Sequence, residues 1–308
     1  MGVTDFFSTG AEDVPINIFS FQELSKRLDV DARTLIDLFQ LKMIYLTLLS
    51  GKGIEFDRVR KYNVGEDATR MDWNATARTG KPHIKLFDEE RMLDVMILVD
   101  SSNSMLLGTT EMVKSQYAAL SAGVMAYVGV SCGDRVGMIM FSDEIKAMVE
   151  PLCSQDNYYT MLSVLAKEEN YGGRKNWDCV PKTISEQFGP DTVLFIISDF
   201  IGMSNKKFLN DLSIFSTRFR KVFGIMVRDP RDSKLPEGIG AIYLADPDTG
   251  EVSLVNVDSI RKEYMRIAAE EEETLAKSFR GTGQEFFKIY THEEFVKAFT
   301  RYFETVMV

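Results

Sequence analysis

The stretch that most constrains how this chain can fold is LDVMILVDSSNS, at positions 93–104. Five apolar residues run without a break from 95 to 99, and an acid and three serines follow within five positions. An uninterrupted apolar run bounded by a turn signal has the pattern of a strand buried on both faces, as in a parallel sheet covered by helices. In open sheets of that kind, ligands gather at the carboxyl ends of the strands. This strand ends in Asp100, Ser102 and Ser104, spaced D-x-S-x-S. One carboxylate and two hydroxyls on a tight loop make a set of hard oxygens that suits Mg²⁺ or Mn²⁺ and suits zinc poorly.

The same pattern returns further along. Residues 191–198 read as a second buried strand, ending in Asp199, and 221–227 as a third. If the first two strands are neighbours, Asp100 and Asp199 stand at one edge, beside the Ser102 and Ser104 hydroxyls. Otherwise Asp199 is a cap for the helix that follows it. Between and beyond these strands the spacing predicts helices at 111–131, 155–167, 177–188 and 206–217. It also predicts a hairpin at 134–149 turning at 142–144, and a peripheral hairpin at 241–255 around an Asp-Thr-Gly turn. A long polar helix at 258–279, a strand at 284–289 and a closing helix at 293–303 complete the chain. The four glutamates at 270–273 read as a solvated helix face, because adjacent acids repel and point to all sides.

The acid–serine loop, with Met105 directly after its second serine, resembles the metal-ion-dependent adhesion site of von Willebrand factor A domains. The resemblance implies a doubly wound, mostly parallel sheet with an antiparallel edge hairpin, and Asp100, Ser102, Ser104 and Asp199 as ligands of Mg²⁺ or Mn²⁺. In that pattern a threonine, in a G-G-T-like loop before a helix, supplies a further oxygen. The loop here is Y-G-G-R-K-N at 171–176, with Arg174 or Lys175 in the threonine's place. Two readings stay open. Asn176 supplies an amide oxygen, or the Lys175 ammonium sits where the cation would be and neutralises the acids.

Residues 1–92 read as an N-terminal helical extension with an arginine-rich connector, and 93–308 as the main domain. Short helices are expected at 20–28 and from Asp31 to about Gly51. The apolar stretch at 34–49 is too short, and with Asp37, Gln40 and Lys42 too polar, for a transmembrane span of about 20 residues. The connector carries nine lysines and arginines against eight acids over 52–91, a mixed ion-pair network with an extended segment near 54–60, a short helix through Ala77 and a strand at 83–87. Its run of Arg60, Tyr62, Gly65, Asp67, Arg70, Asp72, Trp73, Ala77, Arg78, Thr79 and Gly80 is similar to the signature of the bacterial and archaeal family known as domain of unknown function fifty-eight. Glu66 and Met71 stand where that signature has aspartate and isoleucine. In that family the signature stands just ahead of a von Willebrand factor A-like domain. Many relatives begin with two membrane helices, and this sequence resembles a version without them.

A net charge of −10 argues against nucleic acid as a partner. Three cysteines without C-x-x-C spacing fit a reduced, cytoplasmic chain. The sequence has no phosphate-binding G-x-x-x-x-G-K-[ST] loop. The family resemblance therefore implies a non-enzymatic interaction module, an adaptor or chaperone-like partner of a MoxR-type AAA+ ATPase or its client. Arg60, Arg70, Trp73, Arg78 and Lys175 are its candidate docking residues. The competing expectation is a metal-dependent phosphohydrolase or nuclease built on Asp100 and Asp199.

Overall fold

The computed structural model describes residues 17–28, 42, 45, 57–61, 76, 83–86, 92–246 and 251–306, with backbone only for 57–61, 83–86 and 303–306. The apolar run after position 93 forms β3 (Asp94–Asp100), the third strand in chain order after β1 (Asp57–Lys61) and β2 (His83–Leu86), which pair antiparallel with each other. β3 pairs in parallel with β4 (Arg135–Phe141) on one side and β6 (Thr192–Ser198) on the other. With β5 (Ile145–Leu152), β7 (Lys221–Arg228) and β10 (Glu285–Tyr290) it completes a six-stranded sheet in the order β10-β7-β6-β3-β4-β5. Every pairing is parallel except β4–β5, the antiparallel edge hairpin. The chain is thus mixed α/β with a mostly parallel central sheet.

The alternation of side chains across β3 explains why no polar residue interrupts it. Val95, Ile97 and Val99 pack on one face, against α2 (Lys114–Ser131), α3 (Gln155–Leu165) and α8 (Phe295–Val306). Met96 and Leu98 pack on the other, against α4 (Cys179–Gln187), α5 (Lys206–Arg218) and α7 (Val257–Gly281). Both faces are core, so both sets must be apolar. The small residues of α2 serve close approach. A Cβ on Gly123 would lie 2.6 Å from Leu28 of α1 (Phe21–Leu28), and this glycine lets α1 lie on α2. α1 is held at its start by a reciprocal cap: Ser20 Oγ accepts from Glu23 N–H at 3.3 Å, and Glu23 accepts from Ser20 N–H at 3.0 Å. From the expected 34–49 helix, Lys42 donates to the Ser131 carbonyl at 2.8 Å and buried Tyr45 donates to Asp134 at 2.7 Å. The rest of that helix, the short helix near 67–77 apart from Thr76, and the turn at 247–250 lie outside the described residues.

Several boundaries differ from the sequence reading for identifiable reasons. α4 starts at Cys179 rather than 177 because Trp177 turns inward, its ring 5.0 Å from Phe208 and its indole N–H bonded to Asp211. α2 starts at Lys114 rather than 111, since Thr109 is drawn to the far side of the edge by two hydrogen bonds to Asp229. The four glutamates of α7 are not all solvated: Glu272 accepts from Lys288 at 2.6 Å and lies 3.4 Å from buried Arg228. A one-turn helix, α6 (Pro230–Ser233), was not anticipated; Asp229 caps it and Pro230 opens it. The peripheral hairpin forms as read, from β8 (Ala241–Ala245) and β9 (Val252–Asn256). Among the described residues no helix is long and apolar enough to cross a membrane.

Candidate functional site at the carboxyl edge

From β3 the chain crosses by α2 to β4 on one side, and later returns by β6 on the other. The strand order reverses between β3 and β6, and the crevice at such a switch point is where open α/β sheets bind ligands. Asp100 ends β3, and Asp199 directly follows β6. The two acids are brought to one edge, as the sequence led one to expect of neighbouring strands.

The loop after β3 closes tightly on its own acid. Asp100 Oδ1 accepts from Ser102 N–H at 3.0 Å and Ser102 Oγ at 2.6 Å, and the Ser102 and Ser104 hydroxyls are 3.3 Å apart. Asp100 Oδ2 accepts from Ser198 Oγ at 2.5 Å. Ser198 also accepts from Phe200 N–H at 2.9 Å, and Asp199 Oδ1 from Ile201 N–H at 3.0 Å. These bonds hold Phe200 at φ 54°, the one non-glycine residue with positive φ among those described. A phenylalanine in the left-handed region is strained. Its ring anchors it, packing edge-on against Phe208, Phe279 and Phe286.

The Gly172–Gly173 loop lies across this edge. Gly172 N–H donates to the Ser101 carbonyl at 2.8 Å, and Asn103 N–H to the Gly173 carbonyl at 2.9 Å. Both glycines have positive φ, and a Cβ on Gly173 would lie 2.5 Å from Asp143 Oδ1, so the close approach needs glycine. The zipped loop turns Arg174 outward and Lys175 inward. Lys175 Nζ stands 3.0 Å from Asp100 Oδ2 and also donates to Asp199 Oδ1, with only 7% of its side chain exposed. Asn176 does not reach the acids. Its amide accepts from Asp178 N–H and donates to the Asp143 carbonyl.

A second ammonium completes the arrangement. Lys114, at the start of α2 and 1% exposed, reaches Asp199 Oδ2 at 2.9 Å and Asp232 of α6 at 3.0 Å. The edge therefore carries an alternating chain: Asp100, Lys175, Asp199, Lys114, Asp232. Burial opposes the charge on Lys175, but the adjacent Asp100 and Asp199 outweigh it and raise its pKa above the ordinary lysine value. For Asp199, burial favours the neutral acid, yet Lys114 and Lys175 outweigh it and hold the carboxyl well below its usual range. Both acids are paired with an ammonium.

Against this geometry the expected metal ligands do not fit a resident divalent ion. Asp100, Ser102, Ser104 and Asp199 do converge, but the position between the two carboxylates is taken by the Lys175 ammonium. A divalent ion and an ammonium about 4 Å apart repel by about 8 kcal/mol at an effective dielectric of about 20. Among the described residues no group of three or more His, Cys, Asp or Glu is placed to hold a metal. Of the other candidate residues, Arg60 lies on β1 without a described side chain, and Arg70, Trp73 and Arg78 lie outside the described residues. Sequence reasoning missed Lys114, Ser198 and Asp232. One signal was available for Lys114: a lysine in the first turn of a helix faces the positive end of the helix dipole and needs an acidic partner.

Residues 58–274 match the model of a family described as protein of unknown function DUF58. Uncharacterized proteins of Mycobacterium bovis and Mycobacterium tuberculosis are each 28% identical over 261 residues, covering 84% of this chain and 81% of theirs. Among solved structures, the conserved hypothetical protein BatB from Bacteroides thetaiotaomicron is similar with a TM-score of 0.44 at 15% identity, over 70% of this chain and 98% of that one. An aerotolerance-related membrane protein from Bacteroides fragilis gives a TM-score of 0.43 at 16% identity, over 69% and 97%.

Proposed function

This chain belongs to the DUF58 family, and on that premise we propose that it is a non-enzymatic protein-interaction module with a von Willebrand factor A-like fold. Its partner is a MoxR-type AAA+ ATPase, for which it serves as an adaptor or chaperone-like subunit in the cytoplasm. The fold reading is supported by the D-x-S-x-S loop lying at the switch point of a sheet with helices on both faces. The ATPase is what the resemblance in the connector implies.

One observation carries the choice of a binding role over hydrolysis. Asp100 and Asp199, the acids a phosphohydrolase or nuclease would need, are both engaged by buried lysines. General acid–base work needs a group within hydrogen-bond reach of substrate and titrating near the working pH. The Ser102 hydroxyl donates to Asp100, whose other oxygen is held by Lys175 and Ser198, so that carboxylate is committed to contacts inside the edge. At the same edge the loops after β3 and β6 expose Leu107 (42%) and Ile201 (40%). Exposed apolar side chains on the loops of a rigid switch point suit a docking rim. In this reading the rim and the connector, with Arg60, Arg70, Trp73 and Arg78, receive the partner. Lys175 faces inward and acts on the edge from below.

The test is calorimetric titration of the chain with the MoxR-type ATPase of the same organism. Wild type is expected to bind, and Ile201→Asp to weaken binding about tenfold or more, the equivalent of about 1.4 kcal/mol, with an unchanged unfolding midpoint. No binding by wild type, or binding untouched by both Ile201→Asp and Arg70→Ala/Arg78→Ala, would contradict the proposal.

A further inference from the structure

The chain of alternating charges at the carboxyl edge holds an ammonium between its two acids, yet it is built as a divalent-ion site would be. Two acids from neighbouring strands and two serine hydroxyls converge, and the cation between the acids is a side chain. We propose that Lys175 is the resident cation of this site: a tethered ammonium that takes the place of a metal ion and makes the docking edge independent of divalent cations, while masking a latent metal site beneath it. The inference deepens the reading of the same edge given above and rests on it only for what the edge docks.

Three observations converge on it. The first is position. Lys175 touches the carboxylates that end β3 and follow β6, across the switch point, from a loop fixed by two backbone hydrogen bonds to the loop after the first of those strands. The second is burial. With 7% of its side chain exposed, the ammonium is not available to a partner's carboxylate, so it balances the charge of the site and bridges nothing outward. The third is the second lysine. Lys114 balances the remaining Asp199 oxygen, and the two fully buried acids thus meet two ammoniums, with partly exposed Asp232 at the end of the chain. Buried charges are tolerated when paired in this way, and removing one partner leaves the other uncompensated. A carboxylate pair without Lys175 would then need another cation, and the oxygens of Asp100, Ser102, Ser104 and Asp199 are of the kind that binds Mg²⁺ or Mn²⁺.

The experiment uses Mn²⁺ as the probe, its uptake read by electron paramagnetic resonance on the full chain. Wild type is expected to take up no Mn²⁺ at this site. Lys175→Thr, which removes the charge and adds a hydroxyl, is expected to bind one Mn²⁺ per chain at least about tenfold more tightly than wild type, and to lose it when Asp100→Asn is added. Uptake of one Mn²⁺ by wild type that Asp100→Asn abolishes would overturn the inference, as would a folded Lys175→Thr that takes up none. Should Lys175→Thr fail to fold, a thermal double-mutant cycle decides. Lys175→Met alone is expected to lower the unfolding midpoint, and Asp100→Asn in the same chain to recover part of the loss by removing the orphaned charge. If the second substitution deepens the loss instead, Lys175 is not the counter-ion of Asp100 and the inference fails. No arm involves the ATPase, so loss of ATPase binding and loss of the built-in cation are read separately.

Discussion

At the scale of the residue, the account turns on which charges are buried and what each one meets. Lys114 is 1% exposed and lies between Asp199 and Asp232. Lys114→Met keeps much of the shape and removes the charge. It is expected to destabilise the fold by about 3 kcal/mol or more, as for other broken buried pairs. Asp232→Asn, at the partly exposed end of the chain, is expected to cost only about 1 kcal/mol. Urea unfolding of the two variants checks both, and equal losses would mean that burial does not set the energetics of this edge. The pH dependence follows from the same residues. The folded-state pKa of Asp199 lies below its unfolded value of about 3.9. Its stabilisation is therefore fully present above that value and is lost as the pH falls toward the folded pKa. Wild type is expected to lose stability as the pH falls below about 4 more steeply than Asp199→Asn, as read by urea midpoints from about pH 5 to pH 2.

At the scale of the element, the buried strands were legible and their ends were not always. The apolar run of β3, ending in an acid, and its echo in β6 read as buried strands whose acids would share an edge if the strands were neighbours, and they are paired so. Helix starts were harder, because they depend on contacts distant in sequence. Trp177 leaves the helix pattern to pack on Phe208, and Thr109 is tied to Asp229 across 120 residues. Neither contact has a local signature. α6 did have one, an aspartate followed by proline, and went unread. Close packing between elements also makes a prediction. A Cβ on Gly224 of β7 would lie 2.6 Å from the Phe286 ring and 2.7 Å from that of Phe279. Gly224→Ala is expected to cost about 1 to 3 kcal/mol through overpacking between the sheet and α7, measured by chemical unfolding. A neutral result would mean that these rings can shift.

At the scale of the whole molecule, strand order, charge and edge chemistry fit together. The strand order reverses between β3 and β6, and the charged residues of greatest burial, Asp100, Asp199 and Lys114, cluster there. The candidate site was half legible. The acids and serines stand together in a short, informative motif, and the absence of a threonine in the Gly-Gly loop pointed to Lys175 as one of two alternatives. Lys114 could not be assigned, because its partners lie 85 and 118 positions away and only the folded sheet brings them together. The most direct test of the built-in cation is a crystal structure of wild type grown with Mn²⁺, with anomalous data collected at the manganese edge. The account predicts Lys175 Nζ between Asp100 and Asp199 and no anomalous peak beside them. A peak about 2.2 Å from oxygens of Asp100 and Ser102, with Lys175 turned away, would contradict it.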